Sequence, residues 1–64
     1  MRSWLIDLRK SKNCTQQDIA DAVGVTRQMI GAIENGEATP SVVTAQAIGK
    51  KLNFPWTKFF DEKV

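Results

Sequence analysis

Histidine is absent from this chain of 64 residues, and cysteine occurs once, as Cys14. Those two shortages leave no plausible zinc site made of protein ligands and no internal disulfide, so neither a metal nor a cofactor is expected. They also count against catalysis, because the lone thiol has no base beside it and no glycine-rich phosphate loop occurs. No catalytic residue is assigned, and Cys14 is read as a packed or loop thiol. No apolar run approaches the length of a membrane span, and residues 1–12 lack the apolar stretch and small-residue cleavage site of a signal peptide. The expected location is the cytoplasm, with no membrane partner. Nothing alternates with period two for long enough to make a strand, and there are no internal repeats or low-complexity tracts. Sixty-four residues suffice for one small core but not for a core plus a buried catalytic cleft, so a single domain over residues 1–64 is expected.

What is present suits a folded domain: 42% hydrophobic and 25% charged residues, a balance that argues against disorder. The net charge of +2 fits nucleic-acid binding without demanding it, and its placement says more. Arg2, Arg9, Lys10 and Lys12 crowd the first helical segment. Arg27 opens the third, and Lys50 and Lys51 end the fourth, where positive charge suits the helix dipole.

The densest information lies between Gln16 and Gly36. Ile19, Val23, Val25, Ile30 and Ile33 fall where two short crossing helices must bury side chains, and Ala20 sits where the second helix presses on the first. Gly24 closes the first of them where a left-handed conformation is needed, and Thr26 supplies a hydroxyl to cap the next. The set in register reads as a helix-turn-helix.

Around it the spacing predicts a helix from Arg2 or Ser3 to about Ser11, with Leu5 and Leu8 on its core stripe and Trp4 at the stripe's edge, broken by Asn13. Thr15 caps the second helix, Gln16 to Val23, with Asp18 in its first turn. The third runs from Arg27 to Asn35 and ends at Gly36. Pro40 restrains the loop exit ahead of Ser41, a cap for a fourth helix whose Val42, Ala45, Ile48 and Leu52 face the core until Asn53 stops it. A last short helix or turn begins near Pro55 and includes Trp56 and Phe59 as an aromatic lid, and Asp61 to Val64 should fray. The predicted architecture is all-α with five helices.

On the third helix Ile30 and Ile33 point inward with Met29 at their flank, while Gln28, Gly31, Ala32 and Asn35 share the opposite face. A helix entering the major groove offers base edges to its N-terminal side chains, here Arg27 and Gln28. Arginine pairs with O6 and N7 of guanine, and glutamine with N6 and N7 of adenine. Gly31 and Ala32 make a low face suited to close approach, and the Ala32 methyl can touch that of thymine. The alternative explanation of Gly31 is drift at an exposed site. Arg27, Gln28, Gly31 and Ala32 are thus the candidate base readers. Gln16 and Gln17 at the start of the second helix, with Thr26 and Asn35, are the candidate phosphate contacts. Thr26 divides between that role and capping.

Arg9 beside Leu8 and Glu34 beside Ile33 suggest an ion pair that orients the third helix; the alternative leaves Arg9 in solvent as part of a basic patch. Phe54, Trp56, Phe59 and Phe60 exceed what so small a core buries alone. One reading makes Trp56 and Phe59 core and Phe60 surface; the other makes Trp56, Phe59 and Phe60 a two-fold dimer seam.

With these residues in place the chain resembles the Cro and phage-repressor, or Xre, family of helix-turn-helix transcriptional regulators. The resemblance spans Leu5 to Phe54 and is closest at Thr15–Ala20, Val25–Gln28, Ala32–Gly36 and Pro40–Ser41. It implies a compact five-helix lambda-repressor-like domain that binds double-stranded operator DNA, usually as a dimer on a palindromic site, in a bacterial or phage setting on the nucleoid. It implies DNA contacts at Gln16, Thr26, Arg27, Gln28, Ala32 and Asn35, and a structural ion pair between Arg9 and Glu34. Met29 and Gly31 depart from the family's small hydroxylated residues, and Glu37 stands where lysine is common, an acidic group that repels phosphate. The rival function is a protein-interaction module, such as an antitoxin or anti-repressor partner.

Overall fold

The computed structural model describes residues 1–61, and of the tail expected to fray, residues 62–64 lie outside the described residues. Helix α1 covers Ser3–Ser11, α2 Gln16–Val23, α3 Arg27–Asn35 and α4 Val42–Leu52, followed by a 3-10 helix, Trp56–Phe60. The fifth helix expected from the sequence is therefore a single 3-10 segment, and the described residues form four α-helices. Five residues after a proline are too few to repay α-helix nucleation, and the tighter turn suffices to swing the aromatic side chains back onto the core.

Each helix ends for a local reason. The Thr15, Thr26 and Ser41 hydroxyls accept from the backbone N–H groups of Asp18, Met29 and Thr44, capping α2, α3 and α4. Gly24 (φ 78°) and Gly36 (φ 82°) close α2 and α3 in the left-handed conformation, where a side chain would be strained. Asn53 closes α4 the same way at φ 60°, the one task asparagine performs nearly as well as glycine.

The α2 cap is reciprocal: Thr15 N–H donates to Asp18 Oδ2 at 2.9 Å while Asp18 N–H donates to Thr15 Oγ1 at 3.0 Å. The Thr15 backbone N–H, then its hydroxyl, hold the Asp18 carboxyl below its ordinary value of 3.8. A lowered folded pKa means that the contribution is complete above that ordinary value and fades as pH falls below it. The Asp18 carboxyl should therefore titrate by NMR with a midpoint under 3.8, and Thr15→Ala should return it upward.

The core joins Leu5 of α1, Ile19 and Ala20 of α2, Ile30 and Ile33 of α3, Ala45, Ile48 and Leu52 of α4, and Phe59 of the 3-10 helix. α2 packs on α3 and α4, α1 lies against α3, and the 3-10 helix covers α4. Four expected core positions differ, two of them Val23 and Val25 around the turn, which are only partly buried against the core. Leu8 is only half-buried, and Val42 is exposed because it is the first residue of α4, at the open end of the stripe that Ala45, Ile48 and Leu52 continue inward. Phe59, a candidate for the dimer seam, is 2% exposed. Its ring meets Trp4 at 5.3 Å and Phe54 at 5.6 Å between centroids, so the core consumes it and only Trp56 and Phe60 remain toward solvent.

Candidate nucleic-acid interface

Helix α3 turns three side chains inward, Ile30, Ile33 and Glu34, and leaves the rest of its circumference open. Arg27, Gln28 and Asn35 are exposed, and Gly31 and Ala32 are intermediate because α2 runs beside them. A Cβ on Gly31 would meet only Gln16 Nε2, at 3.8 Å, an ordinary contact. No packing inside the molecule therefore requires glycine there. Met29, expected at the flank of the inward pair, is 43% exposed and joins the open face.

Glu34 organises the buried side. Its Oε2 accepts from Arg9 Nε at 2.6 Å and its Oε1 from Gln16 Nε2 at 2.9 Å. The Arg9 side chain is 12% exposed and that of Glu34 3%, so the pair works with little solvent screening. Arg9 Nη1 also donates to the Cys14 carbonyl at 2.8 Å, which fastens the loop ahead of α2 to the same cluster. One carboxylate thus links α1, α2 and α3. For Gln16 the consequence is directional: one amide proton is committed to Glu34, and the orientation of the other is fixed by it.

The remaining phosphate candidates are placed as follows. Gln17 is exposed and its Nε2 donates to Asp21 Oδ1 one turn along at 2.8 Å. Thr26 is exposed, with its hydroxyl accepting from Met29 N–H at 3.1 Å. Asn35 is exposed in the last turn of α3, and Glu37 is exposed just beyond Gly36.

Arg2 is the residue that sequence reasoning misplaced. Grouped with the basic residues of the first segment, it is instead 7% exposed. Its Nη1 donates to the Ile33 carbonyl and, at 2.9 Å, to that of Ala38, while its backbone N–H donates to the Glu34 carbonyl at 2.7 Å. A cation thereby sits at the negative end of the α3 dipole, adds a second donor to the Ile33 carbonyl that Gly36 N–H also reaches, and ties the loop at Ala38 to the helix end. The guanidinium also lies 5.7 Å from the Phe59 ring centroid. No periodicity signals this, because Arg2 precedes the first helix and its acceptors lie over thirty positions away.

Comparison with known proteins agrees with this geometry. Residues 5–59 match the model of a helix-turn-helix family. The chain is 44% identical over 62 residues to the uncharacterized HTH-type transcriptional regulator YqaF of Bacillus subtilis, covering 97% of this chain and 82% of that one. It is 42% identical over 52 residues to an uncharacterized HTH-type transcriptional regulator of Methanothermobacter thermautotrophicus, covering 81% and 75%. Against the HTH-type transcriptional regulator SutR of Escherichia coli it is 36% identical over 59 residues, 92% of this chain but 33% of the longer protein. With its capped helices, left-handed Gly24 turn and open α3 face, the chain belongs to the Xre family of helix-turn-helix regulators.

Proposed function

We propose that this protein is a sequence-specific DNA-binding transcriptional regulator that acts as a repressor, inserting α3 into the major groove of a palindromic or near-palindromic operator. The observation that carries this reading is the open face of α3, with Arg27 and Gln28 exposed in the first turn, where groove-entering helices meet base edges. Gln16, Gln17, Thr26 and Asn35 hold phosphates on either side, and Gly31 and Ala32 let the helix approach closely. Repression is the outcome we assign to occupancy, a groove filled by α3 being closed to other proteins. The relatives' names as transcriptional regulators support the same function.

One short helix reads few bases, and a second copy doubles the site. Trp56 and Phe60, stacked edge to face at 5.9 Å with Phe60 47% exposed, are the residues we assign to the two-fold seam. The same exposed ring, with Val43 at 76%, favours a different protein partner as the second reading.

Selection from random duplexes followed by affinity measurement tests the proposal. Arg27→Ala should lose about 1–3 kcal/mol of discrimination at one base pair. Gln16→Ala should weaken binding to all sequences, and log affinity should fall linearly with log salt. Unchanged base preference in Arg27→Ala would remove that residue from the reader role. Association lost in Phe60→Ala with DNA binding intact would favour the protein-partner reading.

A further inference from the structure

We propose that Met29 reads the C5-methyl group of a pyrimidine, so that the preferred site carries a 5-methylpyrimidine, thymine in ordinary DNA, opposite the first turn of α3. This rests on α3 being the helix that enters the groove. Three observations carry it.

Met29 is the one large apolar side chain of α3 directed to solvent, 43% exposed where Ile30 is 2% and Ile33 0%. Its position is anchored, because its N–H donates to the Thr26 hydroxyl at 3.1 Å and so fixes the backbone of the first turn. Around the helix it stands between the two faces, about 40° from buried Ile33 on one side and about 60° from Ala32 on the other, and its exposure puts it with the outward residues. Three residues apart, Met29 and Ala32 form a continuous apolar edge that borders Gln28, with Arg27 on the other side of the open face.

The chemistry of the groove then selects the target. Base edges there display hydrogen-bond donors and acceptors, and the pyrimidine C5-methyl is their apolar feature. A thioether is a weak acceptor and no donor, so Met29 gains little from phosphates or polar base edges. Its unbranched, polarizable chain adapts to a methyl group offered from several directions. The polar residues of the first turn and Met29 thus divide the groove between them.

The test begins with the site enriched from random duplexes by the full chain. Thymines in that site are replaced one at a time by uracil, which removes only the methyl, and affinity is measured for the parent, Met29→Ala and Met29→Leu. At one position uracil should weaken the parent about four-fold, the scale of one buried methyl group. Met29→Ala should show no penalty at that position and Met29→Leu a partial one. With cytosine and 5-methylcytosine compared at the same position, the parent should favour the methylated base and Met29→Ala neither, which separates the methyl from the rest of thymine. Melting of both variants near the parent temperature checks that the exposed site leaves the fold intact. If no uracil penalty depends on residue 29, on a site whose preference Arg27→Ala does alter, the inference is wrong while the DNA-binding reading stands. If no site is enriched and binding shows no salt dependence, the DNA-binding reading fails and takes this inference with it.

Discussion

Replacing Glu34 by alanine should remove most of the stability of this fold. The substitution leaves the Arg9 guanidinium, 12% exposed, without its counter-charge, and leaves the Gln16 amide without its acceptor. Breaking a buried pair from one side costs about 3–5 kcal/mol. A domain of this length has in total only about 3–10 kcal/mol. At about 4–8 °C for each kcal/mol, the melting temperature should drop by at least about 12 °C. Glu34→Gln should fall between alanine and the parent, because its amide oxygen still accepts one hydrogen bond while the charge is lost. Replacing Arg9 and Glu34 together by leucine and methionine should recover much of the loss, since no buried charge then remains unpaired. Thermal melts followed by circular dichroism read all three. If Glu34→Ala melts within about 2 or 3 °C of the parent, on the order of 0.5 kcal/mol, the pair is screened by solvent and something else holds α3 in place.

Gly49→Ala should also be strongly destabilising, against the usual preference of a helix for alanine over glycine by about 1 kcal/mol. A Cβ at position 49 would lie 2.8 Å from the Phe54 carbonyl oxygen, 3.1 Å from Trp56 Cβ and 3.2 Å from Trp56 Cα. Two of those three atoms are backbone, so relief requires moving the chain. That chain is tied down: Phe54 N–H donates to the Gly49 carbonyl at 2.9 Å, and Asn53 is already in the left-handed conformation. Overpacking of this kind costs about 1–3 kcal/mol, and the 3-10 helix should shift outward, visible as a change in tryptophan fluorescence measured in a Trp4→Phe background, where Trp56 alone emits. Gly31→Ala is the control. Its new Cβ meets only Gln16 Nε2 at 3.8 Å, so the ordinary helix preference applies and the melting temperature should rise by several degrees. Equal shifts at the two positions would mean that the approach of Phe54 to α4 is looser than described.

The helix-turn-helix was legible because its determinants are local. Gly24, Thr26 and Ala20 act on residues within a few positions or one helix away, and the structure finds the first at φ 78°, the second capping α3 and the third fully buried. The open face of α3 was legible for the same reason, since periodicity alone turns Gln28 and Asn35 away from Ile30 and Ile33. Met29 lies near the border of the two faces, where periodicity leaves either side open and the packing of neighbouring elements decides. Arg2 and Phe59 depend on partners distant in the chain: Arg2 finds carbonyls in the last turn of α3 and just past it, and Phe59 finds Trp4 from the other end of the chain. Composition marks one as basic and the other as surplus aromatic, and only the closure of the fold makes each interior. The final short helix, expected near Pro55, is 3-10 and not a fifth α-helix because the proline-led segment needs only to return its rings to the core, not to add a stripe of its own.

The division of labour on α3 has a consequence for change. The fold rests on Ile30, Ile33 and Glu34, while Arg27, Gln28, Met29 and Asn35 contribute nothing to the interior. If α3 reads bases as proposed, sequence preference can be rewritten by exchanging outward side chains, with the scaffold indifferent to the new vocabulary. On that reading a single scaffold of this design serves many operators, and mutation moves it from one to another without passing through an unfolded intermediate.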